Sequence, residues 1–377
     1  MAAVRLRSGM RRVLIAATAI LAITPAAALT PLPPQPADVP WPTETWATGP
    51  LPPGTDEAAL DAALAVALDG EPDAYGNTSA VIIVQGGRIV RERYGADFDA
   101  DTRMISWSLA KSFTQAIAGV AVEQGLIDID EPMGNSRWAA DDPRAAIPWR
   151  QWLTMTDGQS FREVHLLPSQ TDVGPMLFGE GRHDVGAFAA ALPLENEPGT
   201  TWNYNSAGMN LIADALTDIV AGPDASPEER QAAMRAWMDA GLFDPIGMTS
   251  AIPEFDAAGL FLGSSFVYAT ARDFARFALL YLRDGQWDGA RVLPEGWVDF
   301  ARTPTAADFY GAGWWVGMPG RDIAGVFRGS GRGGQVMLLV PEKDLIVLRL
   351  GNNEGLVDRR AMWTWIGRMV DAFPDEG

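Results

Sequence analysis

Residues 104–120 read MISWSLAKSFTQAIAGV and place Ser108 three positions before Lys111 in a run of small and apolar side chains. Of the 29 basic residues in the chain, 27 are arginine; Lys111 and Lys343 are the only lysines. Residues three apart share one face of a helix, so the serine oxygen and the lysine amine would be neighbours. If Ser108 opens the helix, the positive end of the dipole favours a developing alkoxide. A buried lysine can lose its proton near neutral pH and serve as a base. Arginine cannot, because its pKa stays above about 12. The bland alternative, a surface lysine on an exposed helix face, fits poorly with so apolar a stretch.

Around this segment the patterns divide the chain. TDEAALDAALAVALDG, 55–70, has helical spacing, with Thr55 as the expected cap and Gly70 as a stop. SAVIIVQGGRIVRERYG, 79–95, reads as two strands around Gly86-Gly87. From about 101 to 264 the patterns are mostly helical, with long loops. Strand signals return in YGAGWWVGM, AGVFRGSGRGG and QVMLLVPEKDLIVLRLGN, with a hairpin turn at 341–344, and LVDRRAMWTWIGRMVDAF reads as a closing helix. Sheet segments from about 55–100 and 265–377 flanking a helical subdomain imply an α+β fold, an α/β sandwich with one antiparallel sheet built from both ends of the chain.

The first 28 residues carry four arginines and no acid, then an apolar run and an Ala26-Ala27-Ala28 cleavage site, the pattern of a secretory signal peptide. The expected location is therefore the periplasm or the medium, without stable membrane insertion once the signal is cut. Residues 29–54 are proline-rich and read as an extended arm. The net charge of −19 disfavours nucleic acid as a partner. With no cysteine, disulfides, thiolate metal sites and a cysteine nucleophile are excluded. His165 and His183 leave little for a metal centre, and no Gly-x-Ser-x-Gly elbow accompanies them. No metal or cofactor is expected.

Two further elements carry chemistry. In PGTTWNYNSAGMN, 198–210, Tyr204 and Ser206 sit where a loop meets a helix; a tyrosine beside the lysine can carry a proton, although a core tyrosine is the ordinary reading. In FRGSGRGGQVMLLVP, 327–341, glycines open a strand, which permits a ligand to approach the backbone. Trp107, Trp202, Trp314 and Trp315 lie beside these elements and are candidate pocket walls, against the usual fate of tryptophan as core.

Ser108-Leu109-Ala110-Lys111, then Tyr204-Asn205-Ser206, then the glycine strand ending in Gly333-Gly334-Gln335, resemble in order and spacing the serine β-lactamase and penicillin-binding-protein superfamily. The resemblance is closest to its esterase-like and 6-aminohexanoate-dimer-hydrolase-like branch, over roughly residues 78 to 352. It implies a β-lactamase-like sheet flanked by the terminal helices. It also implies roles: Ser108 as acylated nucleophile, Lys111 as its base, Tyr204 as proton carrier and Ser206 as the group orienting Lys111. The backbone N–H groups of Ser108 and Arg332, beside Gly331, match the oxyanion hole, and Gly333, Gly334 and Gln335 match pocket positions. Gly329-Ser330-Gly331 stands where the β-lactamases have Lys-Thr-Gly, leaving Arg328 and Arg332 as candidate replacements for that charge. No Glu-x-x-Leu-Asn segment is present.

The expected activity is cleavage of a small amide or ester through an acyl-enzyme. The alternatives are a non-catalytic cell-wall peptide-binding protein of the same fold and a D-alanyl peptidase. Neither the substrate nor the oligomeric state is readable from the sequence.

Overall fold

The computed structural model describes residues 29–68, 76–164, 170–351 and 358–375. The signal-peptide segment, the Gly70 stop and His165 lie outside the described residues.

The first helix, α1 (Glu57–Leu68), is capped by Asp56, whose carboxylate accepts from the Ala59 N–H at 3.0 Å. Thr55 instead turns its hydroxyl back to the Pro52 carbonyl. Strands β1 (Thr78–Gln85) and β2 (Arg88–Tyr94) form a hairpin. Its turn holds Gly86 at φ 58° and Gly87 at φ 72°, the left-handed pair that a two-residue hairpin loop requires. The late strands are β3 (Trp315–Val316), β4 (Phe327–Gly331), β5 (Gln335–Val340) and β6 (Leu345–Gly351). The sheet order is β2-β1-β6-β5-β4-β3, antiparallel throughout, so the two ends of the sequence meet where β1 pairs with β6. YGAGWWVGM contributes only two residues of strand, because glycines on either side of Trp314-Trp315 stand at positive φ.

Alternation along these strands builds two cores. Ala80, Ile82 and Val84 of β1, with Ile346, Leu348 and Leu350 of β6, face one side; Val81, Ile83, Leu345 and Val347 face the other. The second face is covered by α1 and the closing helix (Arg359–Asp371). The first is covered by α2 (Ala110–Glu123) and a later helix, Ala271–Leu282, whose Thr270 cap accepts from the Asp273 N–H. Phe113 stacks on Phe277 with centroids 3.9 Å apart where these two helices meet. Helix α2 is buried on every side from Ala110 to Ala121, its polar Lys111, Ser112 and Thr114 each hydrogen-bonded. Each fully buried Ile, Leu or Phe here contributes about 1.5–3 kcal/mol.

The segment 101–264 is largely helical but not wholly so: Arg103–Ile105 and Ile252–Pro253 flank Val267–Thr270 in a small separate sheet. The proline-rich arm has no helix and is bound to the body. Arg276 donates to the Pro42 carbonyl at 2.6 Å, Arg283 donates to Gln35 at 2.9 Å, and Thr48 bridges to Ile89.

Candidate active site

Ser108 lies in a single helical turn, Trp107–Leu109, that leads directly into α2. Trp107 has φ 44°, a left-handed conformation that costs a non-glycine residue about 1–3 kcal/mol. Neighbours hold the turn in place. Ser106 N–H donates to the Val267 carbonyl at 2.8 Å, and Val267 N–H donates to Ser106 Oγ at 2.9 Å. Strand β4 presses on the turn from the other side. A Cβ at Gly331 would stand 2.5 Å from the Ser106 carbonyl oxygen, and one at Gly329 would stand 2.6 Å from Leu109 Cδ2. The glycines therefore make room for the Ser108 turn, where the sequence pattern suggested room for a ligand. Gly331→Ala is expected to push the turn away and lower kcat/KM roughly 10- to 100-fold with the secondary structure intact, as read by ester kinetics beside circular dichroism.

Lys111 is 1% exposed. Its Nζ donates to Ser108 Oγ at 3.1 Å, Ser206 Oγ at 2.9 Å and the Ser264 carbonyl at 3.0 Å, which uses all three N–H bonds of an ammonium. Burial pushes its pKa down to about 8, against the pull of the Glu163 carboxylate, whose Oε1 lies 4.0 Å away. Lys111 Nζ also lies 4.7 Å from the centre of the Tyr204 ring.

Burial, and after it the Glu163 charge, pushes the Tyr204 phenol well above its ordinary range, while the Ser108 hydroxyl and the Arg359 charge pull the other way. A phenol so placed keeps its proton and is a donor at neutral pH, which leaves Lys111 as the group able to accept. Tyr204 precedes α3 (Ser206–Ala221), whose cap is Asn205; Asn205 Oδ1 accepts from Gly208 N–H at 3.0 Å. Asn205 Nδ2 in turn donates to buried Asp157 at 3.0 Å. This chain of bonds sets the entry angle of the Tyr204–Ser206 segment.

The walls are aromatic. Tyr204 has Trp315 at 5.3 Å, Tyr310 at 5.9 Å and Trp202 at 6.2 Å between ring centres, and Phe309 closes on Trp202 at 5.0 Å. On the other flank Trp107 meets Phe266 at 5.6 Å, and the Arg332 guanidinium lies 5.7 Å from the centre of the Trp107 ring.

A half-buried serine and a buried lysine in Ser-x-x-Lys spacing at the start of a central helix, facing a tyrosine, over an antiparallel sheet, agree with the comparison of the whole chain. The family model described as Beta-lactamase matches residues 67–369. The chain belongs to the Beta-lactamase family. Membership makes it a serine hydrolase in the general sense. It is similar to the D-alanyl-D-alanine-carboxypeptidase/endopeptidase AmpH of Escherichia coli, 23% identical over 71% of this chain and 77% of that protein. It is also similar to the 6-aminohexanoate-dimer hydrolase of Paenarthrobacter ureafaciens, 24% identical over 73% of this chain and 72% of that protein. Among solved structures, a Bacillus anthracis protein provisionally assigned as a 6-aminohexanoate-dimer hydrolase superposes with TM-score 0.69 at 19% identity, covering 88% of each chain.

Within this Beta-lactamase-family frame several expected pocket residues have other work. Trp314 is fully buried, 4.3 Å from Tyr281 and 5.2 Å from Phe327 between ring centres, and belongs to the core. Its neighbour Trp315 is half-buried in the aromatic wall. Gly333, Gly334 and Gln335 are buried and brace the bend after β4. Arg349 Nη1 donates to the Gly333 and Gly334 carbonyls at 2.8 and 2.7 Å, and the Gln335 side chain bonds both backbone groups of Gly351. Arg328 is buried and donates to the Val316 and Gly317 carbonyls, beside Trp363, so it is not a free charge for a substrate. Arg332 is exposed and makes no ion pair among the described residues.

Three participants had not been singled out: Glu163, the Phe309-Tyr310 pair and the Ser264 carbonyl. Glu163 stands in FREV with no pattern around it, and a backbone carbonyl has no signature in sequence. Only the apolar pairing of Phe309-Tyr310 close before Trp314-Trp315 offered a signal.

Proposed function

We propose that the protein hydrolyses a small, partly apolar ester or linear amide through an acyl-enzyme on Ser108. The observation that carries this reading is the position of Lys111 Nζ: buried, 3.1 Å from Ser108 Oγ, with its pKa lowered to about 8. In its neutral form Lys111 takes the Ser108 proton as Oγ attacks the substrate carbonyl. The N–H groups of Ser108 and Arg332 receive the negative charge that forms on the carbonyl oxygen. Tyr204 delivers a proton to the leaving alcohol or amine and is reprotonated from Lys111. Water then attacks the acyl carbon by the same route in reverse, and Ser108 is released. The aromatic wall of Trp202, Tyr204, Phe309, Tyr310 and Trp315 suits an apolar acyl or leaving group.

The test is intact mass after exposure to an activated ester. The expected result is one acyl adduct on the wild type and none on Ser108→Ala; equal adducts, or none on either, would remove the reading. A panel of ester, linear amide and β-lactam then ranks the substrate classes.

A second reading, a D-alanyl peptidase, draws on exposed Arg332 above Trp107, a cation available to a terminal carboxylate, and on the Escherichia coli relative. It is distinguished by release of D-alanine from a peptide ending in D-Ala-D-Ala. We also propose export by the segment 1–28, for which mature protein beginning at Leu29 in a periplasmic or culture fraction is the expected finding.

A further inference from the structure

The least expected group in the site is Glu163, and its hydrogen bonds have a direction. Glu163 Oε2 accepts from the Ser206 backbone N–H at 3.1 Å, and Oε1 accepts from the Ser206 hydroxyl at 2.9 Å. An ionised carboxylate only accepts, so the single Ser206 hydroxyl proton is committed to Glu163. Ser206 Oγ can then only accept from Lys111, at 2.9 Å. The Ser264 carbonyl, at 3.0 Å, also only accepts. When Lys111 loses a proton it keeps two N–H bonds and gains one lone pair. Both N–H bonds are claimed, one by Ser206 and one by Ser264. The lone pair is left for the third neighbour, Ser108.

We propose that Glu163 is a positioning residue that fixes the direction of the Ser206–Lys111 hydrogen bond, so that deprotonated Lys111 presents its lone pair to Ser108. This rests on the reading of Ser108 and Lys111 as nucleophile and base. Glu163→Gln is nearly isosteric but reverses the chain. The Ser206 N–H still needs an acceptor, so the amide oxygen faces it and the amide nitrogen faces Ser206 Oγ. That nitrogen donates, Ser206 turns its proton to Lys111, and the lone pair is captured away from Ser108.

The charge matters as well. The titratable groups facing Lys111 are Glu163 and Tyr204; Tyr310 and Arg359 act one layer further out, through Glu163 and Tyr204. Glu163 supplies the negative charge that holds the Lys111 pKa up, so its neutralisation lowers that pKa.

Two readouts test this. Because the chain has two lysines, protein labelled with [ε-13C]lysine gives two resonances, and Lys343→Arg assigns them. In Glu163→Gln the Lys111 titration midpoint is expected to fall by about one unit or more, with Lys343 unmoved. In turnover of an activated ester, the plateau kcat is expected to fall roughly 100-fold with KM within about twofold, and the acid limb of the pH profile to move to lower pH. In a Ser206→Ala background, Glu163→Gln should cost no further plateau rate, because the hydroxyl whose direction it sets is gone. A midpoint that stays or rises toward the ordinary lysine range would mean a loosened, wetter site and overturn the proposal. So would a full loss of rate persisting in the Ser206→Ala background. A lowered midpoint in a protein that turns over no ester or amide upholds the Glu163–Lys111 coupling and removes the hydrolase reading instead.

Discussion

Lys111→Arg lowers kcat/KM by about 10³-fold or more at every pH from about 6 to 10. The wild type is expected to gain activity as pH rises through about 8, because the proposed active form is the neutral lysine and burial has brought its pKa to that value. Arginine keeps its charge across the range, so no rise in pH recovers the variant. The site is closed around the amine, with Lys111 1% exposed, and the longer guanidinium can disturb packing for reasons unrelated to protons. Lys111→Met therefore accompanies it: similar in length, uncharged and unable to accept the Ser108 proton. Both variants should be inactive, and Lys111→Met should keep the near-ultraviolet spectrum of the wild type. An arginine variant with wild-type turnover would mean that charge alone was required at this position.

Asp157→Asn raises stability at pH 8 by far more than at pH 5, and leaves it nearly unchanged only below about pH 4. Asp157 is 2% exposed with no cation beside it among the described residues; Oδ1 accepts from Gln159 N–H at 2.9 Å and from Asn205 Nδ2 at 3.0 Å. Burial pushes its pKa up to about 7 against those hydrogen bonds. The folded pKa thus lies above the value near 4 of an unfolded chain. Between about pH 4 and 7 the folded state binds the extra proton, so stability is greatest at the acid end and declines as pH rises toward 7. Integrated over that window the decline is roughly 3–4 kcal/mol. Asparagine stays neutral while its carbonyl oxygen accepts the same two bonds, so its stability is flat across the window. Urea unfolding of both proteins at pH 5 and pH 8 measures the difference. A variant less stable than the wild type at pH 8 would show that the α3 cap depends on a charged carboxylate.

Much of the chemistry was readable because rare residues were used where common ones fail. A lysine in an arginine-rich chain, three positions after a serine in an apolar run, pointed to a helix and to burial, which are found, and to the proton-accepting role proposed for the lysine. The Gly86-Gly87 hairpin was equally legible, since it rests on bonds made within a few residues. What escaped depended on partners far along the chain. Trp314 and Trp315 are adjacent in sequence but take different places, one packed in the core and one in the aromatic wall, and sheet alternation alone does not say which. Gly329 and Gly331 leave space, and only the three-dimensional arrangement reveals that the Ser106–Leu109 turn fills it. Glu163 comes from a loop with no periodic signal and acts through its bonds to Ser206.

The strained Trp107 turn has a consequence for synthesis. The supports that hold it are late in the chain: β4 presses on it, and Ser112, in the first turn of the same helix, donates to the Gly313 carbonyl 201 residues away. A ribosome-bound chain that has emerged only through α3 possesses the serine, the lysine and the tyrosine but lacks the strand that packs against the Trp107 turn. Hydrolytic competence is therefore expected to arrive only once the late part of the chain is made and β4 docks, and chains truncated before that strand should be silent whatever fraction of the reactive side chains they contain.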